Sequence, residues 1–245
     1  MKKRTIKYFD EWTCKTKQIM YEGYDKELVK IKIFMTLKYL SKGFRVLDAG
    51  CGIGNITNVL AGYCDNIVGV DFSSLNVKKA KDNLRSKRNA EVILADITAL
   101  PLQDAKFDVI VSYSTLYYVE ELNKALEEFH RILRNGGYAI FELGNKYSWN
   151  ALQYRWQSGV ILHLRSPDEL VFFIKKSFFS VKERRIFQLF PIIHIFERIF
   201  CCRIGGRLIE EWISSTPILR NFSFRYLFVC KKENENIAVK QNTTS

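Results

Sequence analysis

A chain of 245 residues and 28.7 kDa has the size of one α/β domain with elaborations. Its 47% hydrophobic and 26% charged residues exclude bulk disorder, collagen and coiled coil. The net charge of +12 is unevenly spread: 12 basic against 5 acidic side chains in residues 1–45, 10 against 13 in 46–145, and 16 against 8 in 146–245, so an acidic partner would meet the flanks.

The start, MKKRTIKYFDEW, is basic but lacks the apolar stretch of a secretory signal, so the expected location is cytoplasmic. No run reaches the roughly 18 uncharged apolar residues of a membrane span. The longest candidate, Phe190 to Phe200, is interrupted by Glu197 and Arg198. The cysteines at 14, 51, 64, 201, 202 and 230 show neither C-x-x-C nor Cys/His ligand spacing, which predicts reduced thiols and no structural zinc.

In chain order, Lys26 to Leu40 predicts an amphipathic helix with a basic face. Five short, nearly all-apolar, β-branched runs follow: Arg45 to Gly50, Asn66 to Asp71, Glu91 to Ala95, Phe107 to Ser112 and Gly137 to Leu143. Such runs suit strands buried on both faces of a parallel sheet. Helical stretches alternate with them at Ile53 to Ala61, Ser74 to Arg85 and Val119 to Leu133. Ser73 or Ser74 is the N-cap of the second, and Asn135-Gly136-Gly137 the stop of the third. This alternation predicts a doubly wound α/β sheet. Further on, Ser166-Pro167-Asp168-Glu169 opens a capped helix. Ser180 to Phe190 and Phe222 to Lys232 read as strands that return antiparallel at the sheet edge. A helical, arginine-studded segment from Pro191 to Ser215 separates them, and the residues after Glu233 form a polar, frayed tail.

The strongest local signal is VLDAGCGIGNIT, Val46 to Thr57: a strand ending at Asp48 opens into the turn Gly50-Cys51-Gly52-Ile53-Gly54 and then a helix. Glycines there permit tight turning and close backbone approach to a nucleotide-like ligand. Asp71 ends the next strand, where a carboxylate can accept both ribose hydroxyls. Asn55 replaces the third glycine of the dinucleotide fingerprint, which weakens a nicotinamide reading.

Asp48-Ala49-Gly50-Cys51-Gly52-Ile53-Gly54 resembles motif I of the class I S-adenosylmethionine-dependent methyltransferases. The resemblance runs from Arg45 to Asn145 through VGVDFS, ADITALPLQDAKFDVIVS, LYYVEEL and FHRILRNGGYAIFE. It implies a Rossmann-like, mostly parallel seven-stranded sheet with an antiparallel last strand and a helical insertion before it. The expected divisions are an N-terminal helical cap (1–44), a cofactor-binding core (45–145) that carries the resemblance, an acceptor-side region (146–232) with the insertion at about 191–216, and a disordered tail (233–245).

Carried over to this chain, the resemblance implies that Gly50, Cys51, Gly52 and Gly54 pass the methionine portion of S-adenosylmethionine, with Asp48 acting on its ammonium group. Asp71 would bind the ribose, Phe72 pack on adenine, and Asp96 with the Ile97 amide hold the adenine edge. Ser112 and Tyr113 would lie near the sulfonium and the methionine carboxylate.

Tyr117, Tyr118 and His163 are the candidates for substrate contact or general base, with His194 a further histidine of the acceptor region. Relatives commonly have a His near the position of Tyr117; this chain does not, so no base is assigned. His130 reads as structural. No [DNS]-P-P-[YFW] follows the fourth strand and no Pro-Cys pair occurs, which argues against methylation of adenine, amide nitrogen or cytosine C5. The aromatic and arginine-rich region from Ser148 to Phe224, with Arg198, Arg203 and Arg207 beside an aliphatic face, favours a small, apolar or lipid-like acceptor and peripheral membrane contact. An RNA or protein methyltransferase using the basic flanks, a non-catalytic cofactor-binding protein and a nicotinamide-dependent enzyme stand as alternatives.

Overall fold

The computed structural model describes residues 2–15, 24–148, 151, 161–187, 216 and 219–233. Two helices come first, α1 (Lys2–Lys15) and α2 (Tyr24–Leu37). Strands and helices then alternate: β1 (Arg45–Ala49), α3 (Asn55–Leu60), β2 (Asn66–Asp71), α4 (Ser74–Asn83), β3 (Ala90–Leu94), β4 (Phe107–Ser112), α5 (Leu122–Ile132) and β5 (Leu133–Gly144). The described chain ends with α6 (Pro167–Lys176), β6 (Phe179–Phe187) and β7 (Arg225–Lys232).

The seven strands form one sheet in the order β3-β2-β1-β4-β5-β7-β6, the first five parallel and β7 antiparallel to both its neighbours. β2 and β4 are covered on both faces, which is why their sequences are apolar throughout rather than alternating. Leu122, Leu126 and Phe129 of α5 and Leu170 and Ile174 of α6 share one core with Leu47, Ile110 and Phe141. Leu28 and Met35 of α2 share another with Val46, Val109 and Val111, the alternate positions of the same strands.

The expected capping holds at two helices. The Ser73 hydroxyl accepts from the Asn76 amide, and Ser166 and Glu169 form a reciprocal capping box with Pro167 behind it. Two details differ from the sequence reading. Asn135-Gly136-Gly137 does not stop a helix: α5 ends at Ile132 and the three residues lie within β5, where the register with β4 jumps between Phe107 and Val109 and Gly136 takes φ +75°. The expected antiparallel return at the sheet edge is present: β7 lies between β5 and β6, antiparallel to both, with β6 outermost. Lys32 does not belong to a solvated basic face, since its side chain is buried on Glu142. His194 and the segment Pro191 to Ser215 lie outside the described residues.

Candidate active site

A cavity of about 620 Å³ opens beyond the carboxyl ends of β1, β2, β3 and β4, where the strand order reverses between β1 and β4. Its volume suits a small ligand, and its place is the usual crevice of an open α/β sheet.

The turn after β1 is folded back by the Gly50 and Cys51 amides, which donate to the Val70 carbonyl at 2.7 and 2.9 Å. Gly50, Gly52 and Gly54 all have positive φ. Their surroundings differ. A Cβ on Gly50 would sit 2.2 Å from Thr115 Oγ1, whereas one on Gly52 would meet nothing within 4 Å and would point into open space.

Two carboxyls face this turn. Asp48 accepts from the Thr57 hydroxyl at 2.6 Å, yet burial outweighs that bond and, with a contribution from the Asp71 charge, pushes its pKa up to about 6. Asp71 accepts from the Gly52 and Ser73 amides at 2.9 and 3.0 Å and from Asn76 Nδ2 at 3.2 Å; burial again holds it above the usual range. Asp96 lines the cavity beyond β3 and accepts from the Thr98 amide, with Ile97 beside it. Cys51 also lines it, but burial pushes the thiol well above its ordinary pKa, which leaves no thiolate nucleophile at neutral pH.

Of the residues expected at the site, Gly54 and Ser112 do not line the cavity. Gly54 packs on Leu84 and Ala80 at the start of α3, and the Ser112 hydroxyl donates to the Ala49 carbonyl, tying β4 to β1. Phe72, Tyr113, Tyr117, Tyr118 and His163 do line it. The Tyr113 phenol is occupied by Thr36 Oγ1 at 2.5 Å, and burial raises its pKa. Tyr117 packs on Tyr118 and Phe224 at centroid distances of 4.7 and 5.5 Å. The His163 amide donates to the Tyr117 carbonyl at 2.8 Å, and burial pushes the imidazole pKa below its ordinary value, so the ring is neutral at pH 7.

Sequence reasoning missed two features. The first is how the N-terminal cap seats on the cleft through α1: Asp10 accepts from the Ser73 hydroxyl at 2.5 Å, Thr13 donates to Asn76 at 2.7 Å, and the Phe9 ring meets Phe72 and Tyr118 edge-on. The second is a charge cluster on the far side of β4. Lys32 Nζ lies 3.0 Å from one oxygen of the fully buried Glu142; Arg225 Nη1 lies 3.1 Å from the other, which also accepts from the Ser114 amide. Burial would raise the Glu142 pKa, but the two cations more than offset it and hold the carboxyl below its ordinary range. A lone glutamate in the apolar run GYAIFEL was the available signal, because a buried carboxylate must be paired.

With this geometry in place, residues 47–141 match the methyltransferase domain family. The match places a methyltransferase domain over β1 to β5 of this chain. That domain is 34% identical over 112 residues to a malonyl-[acyl-carrier protein] O-methyltransferase of Hamiltonella defensa, a match covering 46% of this chain and 42% of the relative. The chain spans about half the length of the curated relatives it matches. Among solved structures, the methyltransferase fold extends over most of the chain. A complex of the Haloferax volcanii Trm112 methyltransferase activator with a putative methyltransferase gives a TM-score of 0.69 at 20% identity, covering 92% of this chain and 98% of the other. The geranyl diphosphate C-methyltransferase of Streptomyces coelicolor gives 0.64 at 15% identity, covering 84% and 80%.

Proposed function

We propose that the protein transfers the methyl group of S-adenosylmethionine to a small acceptor with an apolar body. The observation that carries this reading is the cleft itself. Its β1–β3 half presents an open glycine turn and two buried carboxyls with raised pKa values, and its β4 half presents aromatic rings.

These residues fit the cofactor. Gly52 leaves bare backbone where the methionine portion would lie, and Asp48 and Asp71 are buried carboxyls whose charged form a cationic, hydroxyl-bearing ligand would stabilise. Asp71 would hold the ribose, Phe72 would pack on the adenine and Asp96 would accept from its amino group. When bound, the cofactor supplies a methyl group already activated on a sulfonium, so positioning contributes much of the rate. α1 excludes water from above through Phe9. The neutral His163 can take a proton from an acceptor hydroxyl or amine, while Tyr117 and Tyr118 support its apolar part.

The relatives named for malonyl-[acyl-carrier protein] and geranyl diphosphate support a small or lipid-like acceptor. The cytoplasmic location and peripheral membrane contact belong to the same reading. Among the described residues no helix is long and apolar enough to cross a membrane.

The test is calorimetry with S-adenosylmethionine, S-adenosylhomocysteine and NAD, followed by mass-spectrometric detection of S-adenosylhomocysteine formed with small apolar acceptors. The expected result is binding of the first two, none of NAD, and turnover that falls at least tenfold in His163→Ala without a change in cofactor affinity. NAD binding alone would refute the reading. Turnover only with RNA or protein acceptors, declining steeply with salt, would replace it by the alternative that uses the basic flanks.

A further inference from the structure

The carboxyl expected to hold the ribose is itself held from α1. Asp71 Oδ1 accepts from the Ser73 amide and from Asn76 Nδ2, and Asp71 Oδ2 accepts from the Gly52 amide. A carboxylate has about four lone-pair sites, so these three donors leave about one, on Oδ2, for a ligand hydroxyl. The direction of that remaining site is set by how the three protein donors are anchored.

Asn76 is anchored by Thr13. Both side chains are buried, and they stand 63 residues apart in the chain. With two main-chain amides already donating to Asp71, Asn76 presents its amide nitrogen to the carboxyl. Its carbonyl oxygen then faces α1, where only a donor satisfies it, and the Thr13 hydroxyl donates there at 2.7 Å. Ser73 is anchored from the same helix: its hydroxyl accepts from the Asn76 amide at 3.1 Å and donates to Asp10. Lys79 of α4 fastens the end of α1 separately, donating to the Thr13 carbonyl at 2.6 Å. Thr5, Phe9 and Thr13 recur at i, i+4 spacing on one face of α1, and the first two line the cavity. One helix face therefore both roofs the cleft and grips the partner of Asp71.

We infer that Thr13 is a positioning residue for Asp71: acting through Asn76, it aims the remaining lone pair of the carboxyl at the ribose, so that seating of α1 and binding of the cofactor strengthen one another. The inference rests on the methyltransferase reading, which assigns the ribose to Asp71. The rival account makes α1 a plain cover, in which Thr13 matters only by keeping Phe9 over the cleft. A positioning effect passes through Asn76 and a covering effect does not. Coupling of this kind is reciprocal, so it is readable from the cofactor and from the helix.

The test is calorimetry of S-adenosylhomocysteine on the full chain, with hydrogen exchange of the α1 amides measured alongside to report how firmly the helix is seated. Thr13→Val keeps the shape of the side chain and removes the donor, and should weaken S-adenosylhomocysteine about fivefold. Thr13→Ser restores the donor and should restore the affinity. Lys79→Met removes the separate anchor and keeps the Thr13 hydroxyl, so it should speed α1 exchange but leave affinity within about twofold of the wild type. In an Asn76→Ala background, Thr13→Val should have no further effect. Saturating S-adenosylhomocysteine should slow α1 exchange more in the wild type than in Thr13→Val. Unchanged affinity in Thr13→Val, equal losses in Thr13→Val and Lys79→Met, or a loss that persists undiminished in the Asn76→Ala background would each overturn the inference and leave α1 a cover; the first two hold whether or not Asn76→Ala folds. Failure of S-adenosylhomocysteine to bind the wild type would instead refute the methyltransferase reading beneath it.

Discussion

Asp48→Asn should make the protein more stable and less able to bind its cofactor. In the folded chain burial lifts the Asp48 pKa from 3.8 to about 6. A raised carboxyl pKa means that the folded state binds the proton more tightly than the unfolded chain. Stability is therefore fullest below pH 3.8 and is lost as pH rises to about 6. Each pH unit between those two values costs about 1.4 kcal/mol, which places the loss at roughly 3 kcal/mol above pH 6, of which about 2 kcal/mol accrues between pH 4.5 and pH 8. Asparagine removes the charge but still accepts from the Thr57 hydroxyl. Urea unfolding at the two pH values should thus show Asp48→Asn gaining about 2 kcal/mol on the wild type between them, whatever constant offset the amide introduces. Calorimetry at pH 8 should show it losing about 1.5 to 3 kcal/mol of S-adenosylhomocysteine affinity, the range for a hydrogen bond to a charged group. A stability difference that does not change with pH, or unchanged affinity in the folded variant, would refute the assignment of this carboxyl as a strained counter-charge for the ligand.

The glycines separate folding from binding. Gly50→Ala drives a Cβ against Thr115 and should lower the melting temperature by several degrees, whereas Gly52→Ala should cost only about 1 to 2 kcal/mol for its positive φ and act mainly on cofactor affinity; thermal melts and calorimetry that gave the reverse ranking would contradict the geometry. Asp71→Asn should lose roughly 2 kcal/mol of S-adenosylhomocysteine affinity in a folded protein, and unchanged affinity would remove Asp71 from the site. Ser166→Ala deletes one half of a capping box and should cost about 1 kcal/mol, a fall of about 2 to 4 °C in melting temperature; no change would mean that packing of Leu170 and Ile174 alone holds α6.

What the sequence determined by itself was local. The all-apolar runs at Arg45–Ala49, Asn66–Asp71 and Phe107–Ser112 declared strands covered on both faces, and Ser73 and Ser166 declared helix starts, because burial period and capping are written within a few residues. The glycine turn and Asp71 were legible for the same reason: backbone handedness at Gly50, Gly52 and Gly54 is set by the residue itself. Ser112 escaped this logic, since its place in the chain beside the site did not say which side of β4 its hydroxyl would take.

The tertiary structure alone decided what depends on distant partners. A reading of Lys32 as a surface lysine was reasonable on the helix, and only the approach of Glu142 and Arg225, 110 and 193 residues further along the chain, turns it into a buried ion pair at the cleft. The insertion of β7 between β5 and β6 follows from hydrogen-bond pairing of both its edges, and no local period specifies a partner strand. The seating of α1 on Ser73 and Asn76 is of the same kind. Charge pairing and strand order are properties of contacts between segments, and the chain brings those segments together only after the locally encoded elements have packed.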